Sequence, residues 1–358
     1  MTVNNSVQSS SSFCFPSDSK IRQIISERIE HHKQGVGIVI GIVGQEGRHI
    51  IAHGHFGIND SRSVDANTIF EIGSVTKIFT ALLLADMVQH AELVLTDPIA
   101  KYLPKEIIVP QRNGKAITLI DLATHMSGLP CLPDHFAPTN PDNAYADYSV
   151  EQLYQFLSSY QLTRDIGSQW EYSNLGYGLL GHVLARRAGT DYETLVRERI
   201  LAPSCMKDTG ITLSSEMKAR LATGHNSALE AYPNWDLPTL AGSGALRSTA
   251  NDLLTFLEMA LGIRETTLSS AFAAMLTSRR PIGVGDDEIG LGWNIMKNSD
   301  NEMVWHNGGT GGYCSFIGFL PKINVGVVAL VNAYTDKGVD DIAQHLLNSE
   351  IPLAFQKG

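Results

Sequence analysis

A serine and a lysine three residues apart, Ser74-Val75-Thr76-Lys77, follow Phe70-Glu71-Ile72-Gly73 and lead into the apolar run Ile78 to Val88. At a helix start that spacing puts both side chains on one face. A serine hydroxyl is a poor nucleophile near neutral pH unless a base takes its proton, and a lysine kept neutral by burial or by positive neighbours is such a base. The dipole and free N–H groups of the helix N-terminus suit an oxyanion. Ser-x-x-Lys also occurs at Ser17 to Lys20 and Ser215 to Lys218. Neither copy has a comparable setting, so context singles out Ser74.

Two further segments carry polar groups suited to a cleft. Tyr172-Ser173-Asn174 lies in a polar, glycine-bounded turn that runs into an apolar helix, Leu179 to Ala188. A tyrosine there can aim its hydroxyl at a cleft, and an asparagine supplies both a donor and an acceptor. Trp305-His306-Asn307-Gly308-Gly309-Thr310-Gly311-Gly312-Tyr313 lies between two strand-like stretches. Its glycines allow close approach of a substrate and leave N–H groups free. Tyr232-Pro233-Asn234 and His55-Phe56-Gly57 show that each short string also arises elsewhere, so the weight rests on order and setting.

In that order, with Ser-x-x-Lys on a helix start, Tyr-x-Asn on a loop and His-x-Gly on a strand, the chain resembles the penicillin-binding protein and class C β-lactamase family of serine hydrolases. The resemblance extends to the stretches Leu95 to Pro104, Ile117 to Pro130 and Ala241 to Leu253, and covers roughly residues 20 to 345. It implies an acyl-enzyme on Ser74, with Lys77 and Tyr172 moving the proton. It also implies backbone N–H groups of Ser74 and Gly309 on the oxyanion, and Asn174 fixing Lys77 and touching the acyl group. His306, Asn307, Gly308 and Gly309 are the matching substrate-binding stretch. The substrate implied is a small acyl compound: a β-lactam or D-Ala-type peptide amide, or alternatively an ester handled by a carboxylesterase or acyltransferase of the same fold. A non-catalytic penicillin-binding sensor or scaffold has no need of the intact Ser, Lys, Tyr and Asn set.

One departure stands out. Many members of the family carry Lys-Thr-Gly where this chain has His306-Asn307-Gly308. Lysine offers a permanent charge to a substrate carboxylate, whereas histidine, with a reference pKa near ~6.5, is mostly neutral at pH 7. The change points away from carboxylate-bearing β-lactams, and predicts a shift in substrate affinity near the histidine pKa.

Composition narrows the remaining classes. The chain has 358 residues, 43 % of them hydrophobic, enough for a large core. A formal charge of −10 argues against nucleic acid or an anionic membrane as the main partner. No run of ~18 apolar residues appears, so no membrane span is expected. Cys14, Cys131, Cys205 and Cys314 form no Cys-x-x-Cys pair and are expected as free, mostly buried thiols. Neither the His31-His32 pair nor His53 with His55 has the spacing of a zinc site, and no cofactor or metal is expected. Residues 1–20 are serine-rich and lack signal-peptide character, and are expected as a disordered lead-in. A cytoplasmic location follows on this sequence, or export if a signal has been removed.

The pattern of apolar residues gives an α+β organisation. Ile21 to His32 has the pattern of a surface helix. Gly35 to Gly44 and Arg48 to Gly57 form a hairpin through Gln45-Glu46-Gly47. Strands return at Met303 to Trp305, Tyr313 to Leu320 and Gly326 to Asn332, and Lys337 to Leu347 closes the chain as a helix. These five strands predict one antiparallel sheet flanked by terminal helices, built discontinuously from 21–80 and 241–358. Residues 81–240 are expected as a mostly helical second domain, with the cleft between the two. The long loop 130–148 is a cleft rim or a spacer.

Overall fold

The computed structural model describes Phe13 and residues 15–297, 301–335 and 337–354. Residues 1–12, most of the expected lead-in, and Cys14 lie outside them. The elements that build the site are, in chain order, helix α1 (Asp18–Ser26), strands β1 (Gly37–Gly44), β2 (Gly47–Gly57) and β3 (Asp60–Ser63), and helices α2 (Thr76–Gln89), α3 (Asn174–Ala188) and α4 (Ala250–Ala260). Strands β4 (Arg280–Pro281), β5 (Glu288–Ile289), β6 (Asn294–Lys297), β7 (Glu302–Gly309), β8 (Cys314–Leu320) and β9 (Val325–Val331) follow, then helix α5 (Asp340–Leu347).

The nine strands form one antiparallel sheet in the order β4-β5-β6-β7-β8-β9-β1-β2-β3. The five strands expected from the sequence are its centre. The other four are short or polar, and β3 reads Asp-Ser-Arg-Ser, so apolar periodicity gives no sign of them. Strand β1 is apolar almost throughout because both sheet faces are covered. Ile38, Ile40 and Ile42 meet Ile21, Ile24 and Ile25 of α1 and Ile342, Leu346 and Leu347 of α5. Val39 and Val43 point the other way, into the core that contains Leu253, Leu254 and Leu257 of α4. The period of two along a strand separates these sets, and a slip of one residue would exchange them.

Helix α1 begins at Asp18, inside the expected lead-in, because the Ser17 hydroxyl accepts the Lys20 N–H at 3.3 Å and caps it. Helix α2 has no polar face. From Thr68 to Met87 every residue is buried except Ser74. A helix apolar all round belongs inside a core, and this one packs on α3 and the 241–244 turn. Cys131, Cys205 and Cys314 are free, but only Cys314 is buried, which corrects the expectation of mostly buried thiols. Among the described residues no helix is long and apolar enough to cross a membrane.

Candidate active site

Burial leaves Ser74 as the single partly open position along twenty residues of core. A short 3-10 turn, Gly73–Val75, precedes α2 and lifts the serine to the cleft. Gly73 has φ of +47°, a conformation suited to glycine, and the Ile72 N–H is held by the Leu246 carbonyl at 3.1 Å. One turn on, Lys77 is fully shielded from solvent. Its Nζ lies 3.0 Å from Ser74 Oγ, 2.8 Å from Asn174 Oδ1 and 2.7 Å from the Ser243 carbonyl oxygen.

Burial pushes the Lys77 amine well below the usual lysine range. A neutral amine has two N–H groups and one lone pair. Asn174 Oδ1 and the Ser243 carbonyl can only accept, so they take the two N–H groups and the lone pair is left facing the Ser74 hydroxyl. Tyr172 donates its O–H to Ser74 Oγ at 2.6 Å. Its phenol is pushed well above the ordinary tyrosine value, mainly by loss of solvent, so it stays protonated. With the amine neutral, the proton order runs Tyr172 to Ser74 to Lys77. Of the two groups on the serine, a neutral lysine can accept its proton and the protonated tyrosine can donate one.

Tyr172 and Asn174 bracket the start of α3. Ser173 is the N-cap, its hydroxyl accepting the Gly176 N–H at 2.8 Å and donating to the Pro130 carbonyl at 2.6 Å. Asn174 is thus the first residue of α3 rather than part of a loop, with the helix beginning five residues before the expected Leu179. Capping chemistry, which apolar periodicity does not report, sets that boundary.

Strand β7 supplies the opposite wall. Thr310 donates its N–H to the Tyr313 carbonyl at 3.0 Å. Antiparallel alternation then makes Gly308–Ser315 and His306–Ile317 the hydrogen-bonded pairs, and turns the N–H groups of Asn307 and Gly309 to the other edge. Strand β6 covers that edge only as far as Trp305. Beyond it lies the Ser74 turn, pressed so close that a Cβ on Gly308 would stand 2.1 Å from the Ile72 carbonyl oxygen and 2.9 Å from the Ser74 nitrogen. Ser315 donates to the same carbonyl at 2.7 Å. The free N–H of Gly309 therefore emerges beside the turn that carries Ser74.

Two of the expected substrate-binding side chains do not face the cleft. His306 is buried, its ring donating from Nδ1 to the Asn307 carbonyl at 2.6 Å. Burial pushes its pKa down to about 3. The expected change in substrate affinity near pH ~6.5 is therefore displaced below the ordinary working range. Asn307 turns to α5, donating from Nδ2 to Asp340 at 2.5 Å. Gly308 is a spacer for the Ser74 turn, whereas Gly309 and Asn174 line the pocket.

That pocket is small, about 30 Å³, and its walls include Ser74, Asn174, Tyr145, Trp235, Leu237 and Gly309. Tyr145 and Trp235, with ring centroids 5.4 Å apart, escaped the sequence reading because neither belongs to a motif. Tyr145 lies in the long 130–148 loop. Asn143 of that loop donates to Asp236 at 2.9 Å and accepts the Asp236 N–H at 2.8 Å, making the loop a rim. Trp235 is anchored from beneath: its N–H goes to Glu71 Oε1, which also takes Nη2 of buried Arg247 at 3.0 Å. Cys131, at the other end of the loop, is exposed near Asn174. A roomier cleft of about 830 Å³ lies behind the Tyr172 segment, along Trp170 and Arg280. None of the Ser74, Lys77, Tyr172 and Asn174 cluster lines it, so the small pocket is the site.

Fold and cluster together define a serine hydrolase. The chain belongs to the Beta-lactamase family, whose model matches residues 21–349. It is 28 % identical to the D-alanyl-D-alanine-carboxypeptidase/endopeptidase AmpH of Escherichia coli (strain K12), over 86 % of this chain and 82 % of that protein. It is 27 % identical to the beta-lactamase of the same strain, over 92 % of each. Among solved structures, the beta-lactamase/D-alanine carboxypeptidase from Yersinia pestis complexed with citrate superposes with a TM-score of 0.80 at 27 % identity, covering 93 % of this chain and 98 % of that one. The class C beta lactamase from Rhodobacter sphaeroides, at 24 % identity, shares the fold with a TM-score of 0.79.

Proposed function

We propose that the protein hydrolyses a small acyl substrate through an acyl-enzyme on Ser74. The observation that carries this reading is the convergence of Lys77 Nζ and the Tyr172 hydroxyl on one oxygen, at 3.0 and 2.6 Å. Lys77 takes the Ser74 proton as Oγ attacks the carbonyl carbon. The N–H groups of Ser74 and Gly309 hold the oxyanion, each such donor contributing ~3 kcal/mol to the transition state. Tyr172 gives its proton to the leaving group, and protonated Lys77 restores it. In the second half a water, losing its proton to the same pair, releases the acid. Asn174 fixes Lys77 throughout.

The bond attacked is, in this proposal, a β-lactam or D-Ala-type amide. The names borne by AmpH and by the Yersinia pestis structure support that class. A second reading, an esterase of the same fold, is favoured by two observations: among the described residues the pocket wall carries no Lys or Arg, and the pocket holds only about 30 Å³. A substrate carboxylate finds no permanent cation on that wall, while a small neutral acyl group needs none.

A time course with benzylpenicillin, following the masses of protein and drug, separates the readings. Mass gain at Ser74 or hydrolysed drug is expected, and Ser74→Ala abolishes both. An unchanged drug together with rapid hydrolysis of p-nitrophenyl acetate assigns the esterase reading. Full activity in Ser74→Ala would move the nucleophile elsewhere.

A further inference from the structure

We propose that His125 is the positioning residue that holds Tyr172 on Ser74. The inference rests on the assignment of Tyr172 as proton donor. His125 is 2 % exposed and stands in the left-handed region, with φ of +57°. Its main-chain carbonyl accepts the Glu171 N–H at 2.9 Å, and its ring Nδ1 accepts the Ser173 N–H at 3.0 Å. One residue thus grips the chain immediately before and immediately after Tyr172. The imidazole also lies against the tyrosine ring, centroids 4.7 Å apart and planes 31° from parallel, and against Tyr177 at 4.9 Å.

A backbone N–H can only donate, so Nδ1 must be unprotonated and the ring neutral, with its proton on Nε2. Nε2 is buried and, among the described residues, has no hydrogen-bond partner. The hydrogen bond the ring accepts from Ser173 fixes the segment on which the Tyr172 hydroxyl depends. The same bond fixes Ser173, the cap that places Asn174 on Lys77. A hydroxyl must sit on Ser74 Oγ within a fraction of an ångström to move a proton, and a displacement of ~1 Å costs about 100-fold in rate.

The backbone conformation supplies a clean test, since glycine and asparagine both accept positive φ. Asparagine places Oδ1 where Nδ1 stands, whereas glycine removes the acceptor. We expect His125→Gly to lower kcat about 100-fold with KM within about threefold, and His125→Asn to recover kcat to within about tenfold of the parent. Turnover is measured with whichever of benzylpenicillin and p-nitrophenyl acetate the parent consumes faster, on variants shown to be folded by circular dichroism. The proposal is overturned if His125→Gly keeps kcat within about threefold, or if folded His125→Asn is as impaired as glycine. Should glycine not fold, asparagine alone decides, because a loss beyond about 100-fold with the acceptor present contradicts it. Tyr172→Phe run alongside separates the two layers: if it is inactive while His125→Gly is active, only the positioning role fails, and if it is active, the proton-donor reading fails with it.

Discussion

Lys77 Nζ lies 3.0 Å from Ser74 Oγ with no part of the lysine open to solvent. The lysine is buried because α2 is a core helix, and that burial pushes its amine toward the neutral form. Replacing it by methionine keeps the volume and removes the base. Lys77→Met is expected to lower the acylation rate about 10³-fold while leaving the protein folded. Stopped-flow or mass-resolved acylation measures this directly, and a loss of less than tenfold would assign the base elsewhere.

The contact between strand β7 and the Ser74 turn has no room for a methyl group. A Cβ on Gly308 would press on the Ile72 carbonyl at 2.1 Å and on the Ser74 N–H side at 2.9 Å. Gly308→Ala is expected to separate the two oxyanion donors and lower kcat by about 10² to 10³. A variant with unchanged kcat and native melting would show that this edge can relax without moving either N–H.

Asn307 holds α5 rather than substrate. Asn307→Ala leaves Asp340, already pushed up to about 6 by burial, without its donor. A loss of about 1–3 kcal/mol of stability is expected, with KM unchanged. Chemical denaturation and steady-state kinetics on the same sample check this, and a raised KM at native stability would return Asn307 to the binding site.

Buried histidines govern the acid side of the stability curve. His306 is held at about 3 and His182 at about 4, and His125 is also pushed well down, in each case chiefly by burial. In the unfolded chain these groups titrate near ~6.5. As pH falls from there the unfolded state takes up protons that the folded state refuses. Their contribution is therefore complete above pH ~6.5 and is lost progressively down to the folded values. His306 alone removes about 2 kcal/mol by pH 5. Melting temperatures of parent and His306→Gln from pH 8 to 4 test the sign: the parent falls more steeply, and a parallel pair of curves would contradict it.

The sequence by itself pointed to the Ser74 to Lys77 segment, the core strands and the β1–β2 hairpin, because each leaves a local signal: the spacing of Ser74 and Lys77 along a helix, and near-continuous apolar runs along β1, β8 and β9. It also carried the family resemblance, which the match over residues 21–349 bears out. It could not assign the roles within the His306-Asn307-Gly308-Gly309 run. Strand alternation sends neighbouring residues to different surroundings, and only the assembled sheet decides that His306 is buried, Asn307 faces α5 and Gly309 presents its N–H to the cleft. Tyr145 and Trp235 were invisible for a related reason: they reach the site from loops far apart in the chain, and loops leave no period to read. His125 lay inside the resembling stretch Ile117 to Pro130 without a role that spacing could assign. The state of Lys77 belongs to the tertiary structure as well: a lysine near a serine in sequence is ordinary, and only packing that shields its amine from solvent pushes it toward the neutral form.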